Sequence, residues 1–123
     1  MTITEPRDLA LQALYQYDRT GRDGTSHVLP PKARRLVEGV LAHTEELDEE
    51  IGRASDHWSI DRMPVIDRAI LRLGLYELRF EPDTPVAVVL DEAVRLAKTY
   101  STQRSGAFVN GVLAALAEPG GEP

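Results

Sequence analysis

The sequence predicts an all-α fold, a single compact domain of six or seven helices, some of them very short. Three observations carry this expectation. Apolar residues recur at i, i+3, i+4 and i+7 along nearly the whole chain. Prolines stand where one apolar stripe gives way to the next. No pair of alternating apolar and polar segments flanks a hairpin turn. The 123 residues are 42% hydrophobic and 28% charged, a globular mixture. A chain of this length buries roughly two thirds of its surface on folding, enough for a core without covalent staples. None are available, because cysteine is absent, which also excludes thiol nucleophiles and thiolate metal sites.

The first helix carries Ala10, Ala13, Leu14 and Tyr17 on one face, with Thr4 and Pro6 as a start signal and Thr20-Gly21 as a stop. Tyr15 and Tyr17 point to different sides of it. A polar loop from Gly21 to Leu29 follows. Pro31 opens a second stripe, Ala33, Leu36, Val37, Val40, Leu41, Thr44, Leu47 and Ile51, with a bend expected between His43 and Glu46. Around Trp58, read as a plug between helices, the pattern lapses.

Pro64 then starts the stretch Val65 to Phe80, whose broad apolar arc marks the central, most buried helix. Tyr76 and Phe80 read as core or near-core residues of it. Pro82 and Pro85 end it. Val86 to Leu90 has the β-branched content of a short strand. A link entering a helix is preferred, because Leu90, Ala93, Val94 and Ala97 continue at helical spacing. After the polar turn Ser101 to Arg104, Ser105 is expected to cap a last helix with Phe108, Val109, Val112, Leu113 and Leu116 inward. The Pro- and Gly-rich residues 118–123 read as a flexible tail.

Lys and Arg number 14 against 20 Asp and Glu, a net charge of -6. That excludes a protein that coats nucleic acid by charge alone and leaves room for a small basic patch. The start lacks the basic and apolar regions of a signal peptide. The longest uncharged run, Ser105 to Ala117, would span only about 20 Å as a helix, against about 30 Å of bilayer core. A soluble, cytoplasmic chain is the expectation.

Catalytic signals are missing, so no enzyme, no cofactor and no metal are expected. His27, His43 and His57 are isolated from metal-ligand spacings and read as surface histidines. Gly74 and Gly111 lie in apolar stripes, where close helix packing explains them better than a phosphate loop. The acidic run Glu45 to Glu50 reads as a hydrated face that a basic partner can dock on. One constellation differs. Arg104, Ser105 and Phe108 combine a cation, a helix N-terminus and an aromatic ring, the parts of a single-stranded RNA contact.

Four segments in order then resemble the NusB family of bacterial transcription antitermination factors. They are Ala13-Leu14-Tyr15, the stretch Asp67 to Leu78, Pro85 leading to Asp91 through Lys98, and Phe108-Val109-Asn110-Gly111-Val112-Leu113. The resemblance runs from about Arg7 to Ala117. It implies two packed helical bundles and a protein that pairs with the NusE-type small-subunit ribosomal protein. That pair would bind boxA-like single-stranded RNA and help RNA polymerase read through terminators, notably in ribosomal RNA operons.

By the same resemblance, Arg7, Tyr15, Arg104, Ser105 and Phe108 belong to the RNA surface. Asp67, with Tyr15, faces the NusE-type partner. Asn110 and Gly111 belong to the motif, whether as functional or structural residues. Only Arg7 stands where the family often has several arginines, so weak RNA binding by the chain alone is expected. Two rivals remain. A fused RNA methyltransferase lacks support, since no strand-rich segment or Gly-rich cofactor loop is present. A helical interaction module or homodimer with little RNA binding of its own is the other.

Overall fold

The computed structural model describes residues 5–21, 29–55 and 59–118. They form six α-helices: α1 (Pro6–Thr20), α2 (Pro31–Ala42), α3 (Thr44–Ala54), α4 (Val65–Phe80), α5 (Val86–Tyr100) and α6 (Gln103–Ala117). A 3₁₀ turn, Ile60–Arg62, precedes α4. The expectations about Thr4, Trp58, His27 and His57 lie outside the described residues.

The sequence's punctuation explains most boundaries. Gly21 takes a left-handed φ of 73° and its N–H bonds the Tyr17 carbonyl, closing α1. Pro31 is the first residue of α2, where a missing N–H costs nothing. The expected bend falls at His43, whose φ of -121° ends α2 before Thr44 starts α3. Pro64 and Pro85 stand immediately before α4 and α5.

Helix α4 packs against each of the other five helices, and the core closes around it. Ile70, Leu71, Leu73 and Leu75 are fully buried there, with Leu11, Leu36, Ile51, Leu96 and Leu113 around them. Helices α1 and α2 pair on one side of α4, and α5 and α6 form a tight pair on another. Gly74 lets α6 approach: a Cβ there would stand 2.6 Å from a Leu113 methyl.

Six expectations are corrected. Val86 to Leu90 is helical from its first residue, since Val89 and Leu90 pack inward and Pro85 supplies the entry geometry. Thr102, not Ser105, is the N-cap of α6; its hydroxyl accepts the Ser105 N–H at 3.0 Å. Gly111 is exposed and a Cβ there would meet nothing within 4 Å, so close packing does not explain it. Phe80 is 40% exposed, outside the core, and stacks on His43 with centroids 4.2 Å apart. His43 is accordingly a half-buried packing residue whose Nδ1 also meets Glu46. The acidic run is not simply hydrated. Asp48 accepts two bonds from Arg72, at 2.7 and 2.9 Å, and Glu50 pairs with Arg79, fastening α3 to α4.

Candidate nucleic-acid interface

The N-termini of α4 and α6 lie side by side and enclose a cleft of about 200 Å³. Met63, Pro64 and Asp67 form one wall and Arg104, Ser105 and Phe108 the other. Four of the residues singled out from the sequence therefore meet in one place. Arg104 and Phe108 are one turn apart on α6, so both side chains reach the same mouth. Arg104 is exposed and forms no ion pair with a described residue, while Phe108 is half-buried.

Asp67 lies behind them, only 4% exposed. Its Oδ1 accepts from the Ser101 hydroxyl at 2.7 Å and its Oδ2 from the Ser105 hydroxyl at 2.8 Å. It stands in the first turn of α4 and faces the first turn of α6, so two positive helix ends surround one carboxylate. Asp67 thus reaches the cleft wall while both its oxygens are held by serine hydroxyls.

Arg7 and Tyr15 are elsewhere. The Arg7 guanidinium makes two bonds to the buried Glu77 carboxylate, at 2.9 and 2.8 Å, and also approaches Glu92. Burial works against its charge, but the bonds and charge of Glu77 outweigh that and hold it above the ordinary arginine value. Arg7 is thus an internal counter-ion rather than the free cation its position in the sequence suggests. Tyr15 is half-buried on α1, with the Arg19 guanidinium over its ring at 5.6 Å.

Sequence reasoning missed Met63, Pro64 and Arg19. Pro64 was legible only as a helix start, and Met63 carries no signal of its own. A second cleft of about 180 Å³ lies between α1, α2 and α4. Asp18 on its rim is already paired with Arg68, and Arg72 with Asp48.

A flat ring slid into the first cleft would have Phe108 to stack on and Arg104 beside it for an attached anion. The fold and this site define an all-helical domain with a cleft between two helix N-termini. Comparison with known proteins agrees. The chain belongs to the NusB family, whose profile matches residues 4–118.

The transcription antitermination protein NusB of Geobacillus kaustophilus is 45% identical over 89% of this chain and 90% of its own. Among solved structures, T. maritima NusB superposes with a TM-score of 0.82 at 35% identity, covering 94% of this chain and 92% of that one. A chain from the complex of antitermination factors NusB and NusE with double-stranded RNA gives 0.81 at 33%, covering 91% and 92%.

Proposed function

We propose that this chain is a transcription antitermination factor that pairs with a NusE-type ribosomal protein and holds boxA-like RNA in single-stranded form. It would thereby promote read-through by RNA polymerase, notably in ribosomal RNA operons. It acts in the cytoplasm by binding and catalyses no reaction. The observation that carries the RNA contact is the shared cleft of Arg104 and Phe108 at the start of α6. Similarity to a chain from a NusB–NusE–RNA complex supports the two partners. A single strand is favoured because Phe108 can stack only on a base that has left its own stack. Tyr15, with Arg19 over it, is a second contact on α1, open to the RNA or to the protein partner.

The test is Arg104→Glu. Replacing an exposed cation by an anion should weaken the complex of chain, NusE-type protein and labelled boxA RNA about tenfold. The melting temperature should stay unchanged, because Arg104 makes no ion pair with a described residue. A large fall in melting temperature with intact RNA binding would make Arg104 structural and remove the cleft from the RNA path.

A further inference from the structure

We propose that Asp67 is a positioning residue: its carboxylate sets the first turn of α6, through Ser101 and Ser105, so that Arg104 and Phe108 face the cleft. The inference rests on the reading of that cleft as an RNA contact. It assigns Asp67 a different role from the partner contact implied by family resemblance.

Proton accounting supports it. An ionised carboxylate only accepts, so Ser101 and Ser105 must both point their single hydroxyl protons at Asp67. Ser105 Oγ then has lone pairs left and takes the Thr102 hydroxyl proton at 2.9 Å. Thr102 Oγ1 in turn accepts the Ser105 N–H at 3.0 Å. The two serine oxygens lie 3.0 Å apart with no proton left between them, so both are held by the carboxylate and not by each other.

One buried anion therefore fixes the direction of every bond in the ring. The ring ties the C-terminal end of α5, the N-cap of α6 and the first turn of α4 to one point. No ion pair to Asp67 occurs among the described residues, so the hydroxyls and the two helix N-termini stabilise its charge. Arg104 precedes Ser105 directly, and Phe108 follows it by three residues, almost one helical turn. A rotation of α6 at Ser105 would swing both out of the cleft.

The experiment is a double-mutant cycle with the full chain, Asp67→Ala and Arg104→Ala, read as binding of labelled single-stranded boxA RNA in the presence of the NusE-type protein. Asp67→Ala is expected to lower RNA affinity about fivefold and to flatten its salt dependence by about 0.7 of slope, as Arg104→Ala does. In the Arg104→Ala background it should add little. Affinity for the NusE-type protein without RNA should not change. Asp67→Asn, which keeps the shape and at least one hydroxyl bond, should restore most of the RNA affinity.

Loss of RNA-free partner affinity with an unchanged salt slope would overturn the proposal and make Asp67 a partner contact. Additive losses in the cycle would overturn it as well. If Asp67→Ala does not fold, Ser105→Ala cuts the link from the α6 side and should show the same flattening. Hydrogen exchange separates the two readings. Faster exchange at Ser105 in Asp67→Ala, with RNA binding indifferent to Arg104→Ala, would keep the positioning role and remove the cleft from RNA binding. Unchanged exchange would remove the positioning role.

Discussion

Single glycines decide where two of the helices can touch. Gly39 lies on α2 directly under the Tyr76 ring, and a Cβ there would stand 2.2 to 2.4 Å from two ring carbons and the phenolic oxygen. That ring is buried and stacked on Phe80 with centroids 5.2 Å apart, so it cannot simply swing away. Gly39→Ala should therefore destabilise the fold by about 2 kcal/mol, despite the gain of about 1 kcal/mol that alanine brings to a helix. Gly111→Ala is the control. It is exposed on α6 with open space around it, so it should stabilise by up to about 1 kcal/mol. Thermal melts of the two variants should move in opposite directions. Gly74 was legible as a contact glycine because it sits in an apolar stripe. Gly39 was not, since the ring that requires it comes from another helix. Gly111 shared the stripe but not the contact, and neither its spacing nor its neighbours separate it from Gly74.

At the scale of elements, the ends of helices were legible wherever proline or glycine imposes a backbone angle, as at Gly21, Pro31, Pro64 and Pro85. The start of α6 was misplaced because Thr102 and Ser105 are both competent caps. Only the Asp67 carboxylate from α4 draws the Ser105 hydroxyl away. The ties between helices were illegible for the same reason. Asp8 near the start of α1 accepts two bonds from Arg95, at 2.6 and 3.2 Å, and one from the Tyr100 hydroxyl at 2.8 Å, joining α1 to α5. The Arg95 bonds, with Tyr100 behind them, outweigh burial and hold Asp8 below its ordinary 3.8. Its folded value lies below its unfolded one, so the stability it lends is complete above about pH 4 and is lost as pH falls through the depressed value. Asp8→Asn should cost about 1 to 2 kcal/mol near neutral pH. That deficit relative to the parent should shrink as pH falls below the ordinary carboxylate value toward the depressed one, which urea titrations at two pH values would show. An undiminished deficit in acid would mean that shape, not charge, makes the tie.

Across the whole molecule, the net charge of -6 does not say where the positive charge is used. Among the described residues, the arginines at 7, 35, 53, 68, 72, 79 and 95 form ion pairs with carboxylates. Most of these pairs bridge two helices, so the basic residues largely hold the bundle together. The expectation of weak RNA binding came from the sparse arginines at the start of α1, and the one that stands there, Arg7, is turned inward onto Glu77. Arg104 is left as the exposed cation of the cleft. One or two phosphate contacts correspond to a slope of about -0.7 to -1.4 in a plot of log affinity against log salt for a single strand. The chain alone should therefore bind labelled boxA RNA weakly and with a slope no steeper than about -1.5. Adding the NusE-type protein should both tighten binding and steepen the slope by several phosphate contacts, because the partner would bring the cations that this chain uses internally. Tight binding by the chain alone with a steep slope would show that the acidic surface does not govern its RNA contacts. A partner complex that forms with an affinity indifferent to RNA, and a slope that never steepens, would instead favour an interaction module with little RNA binding of its own.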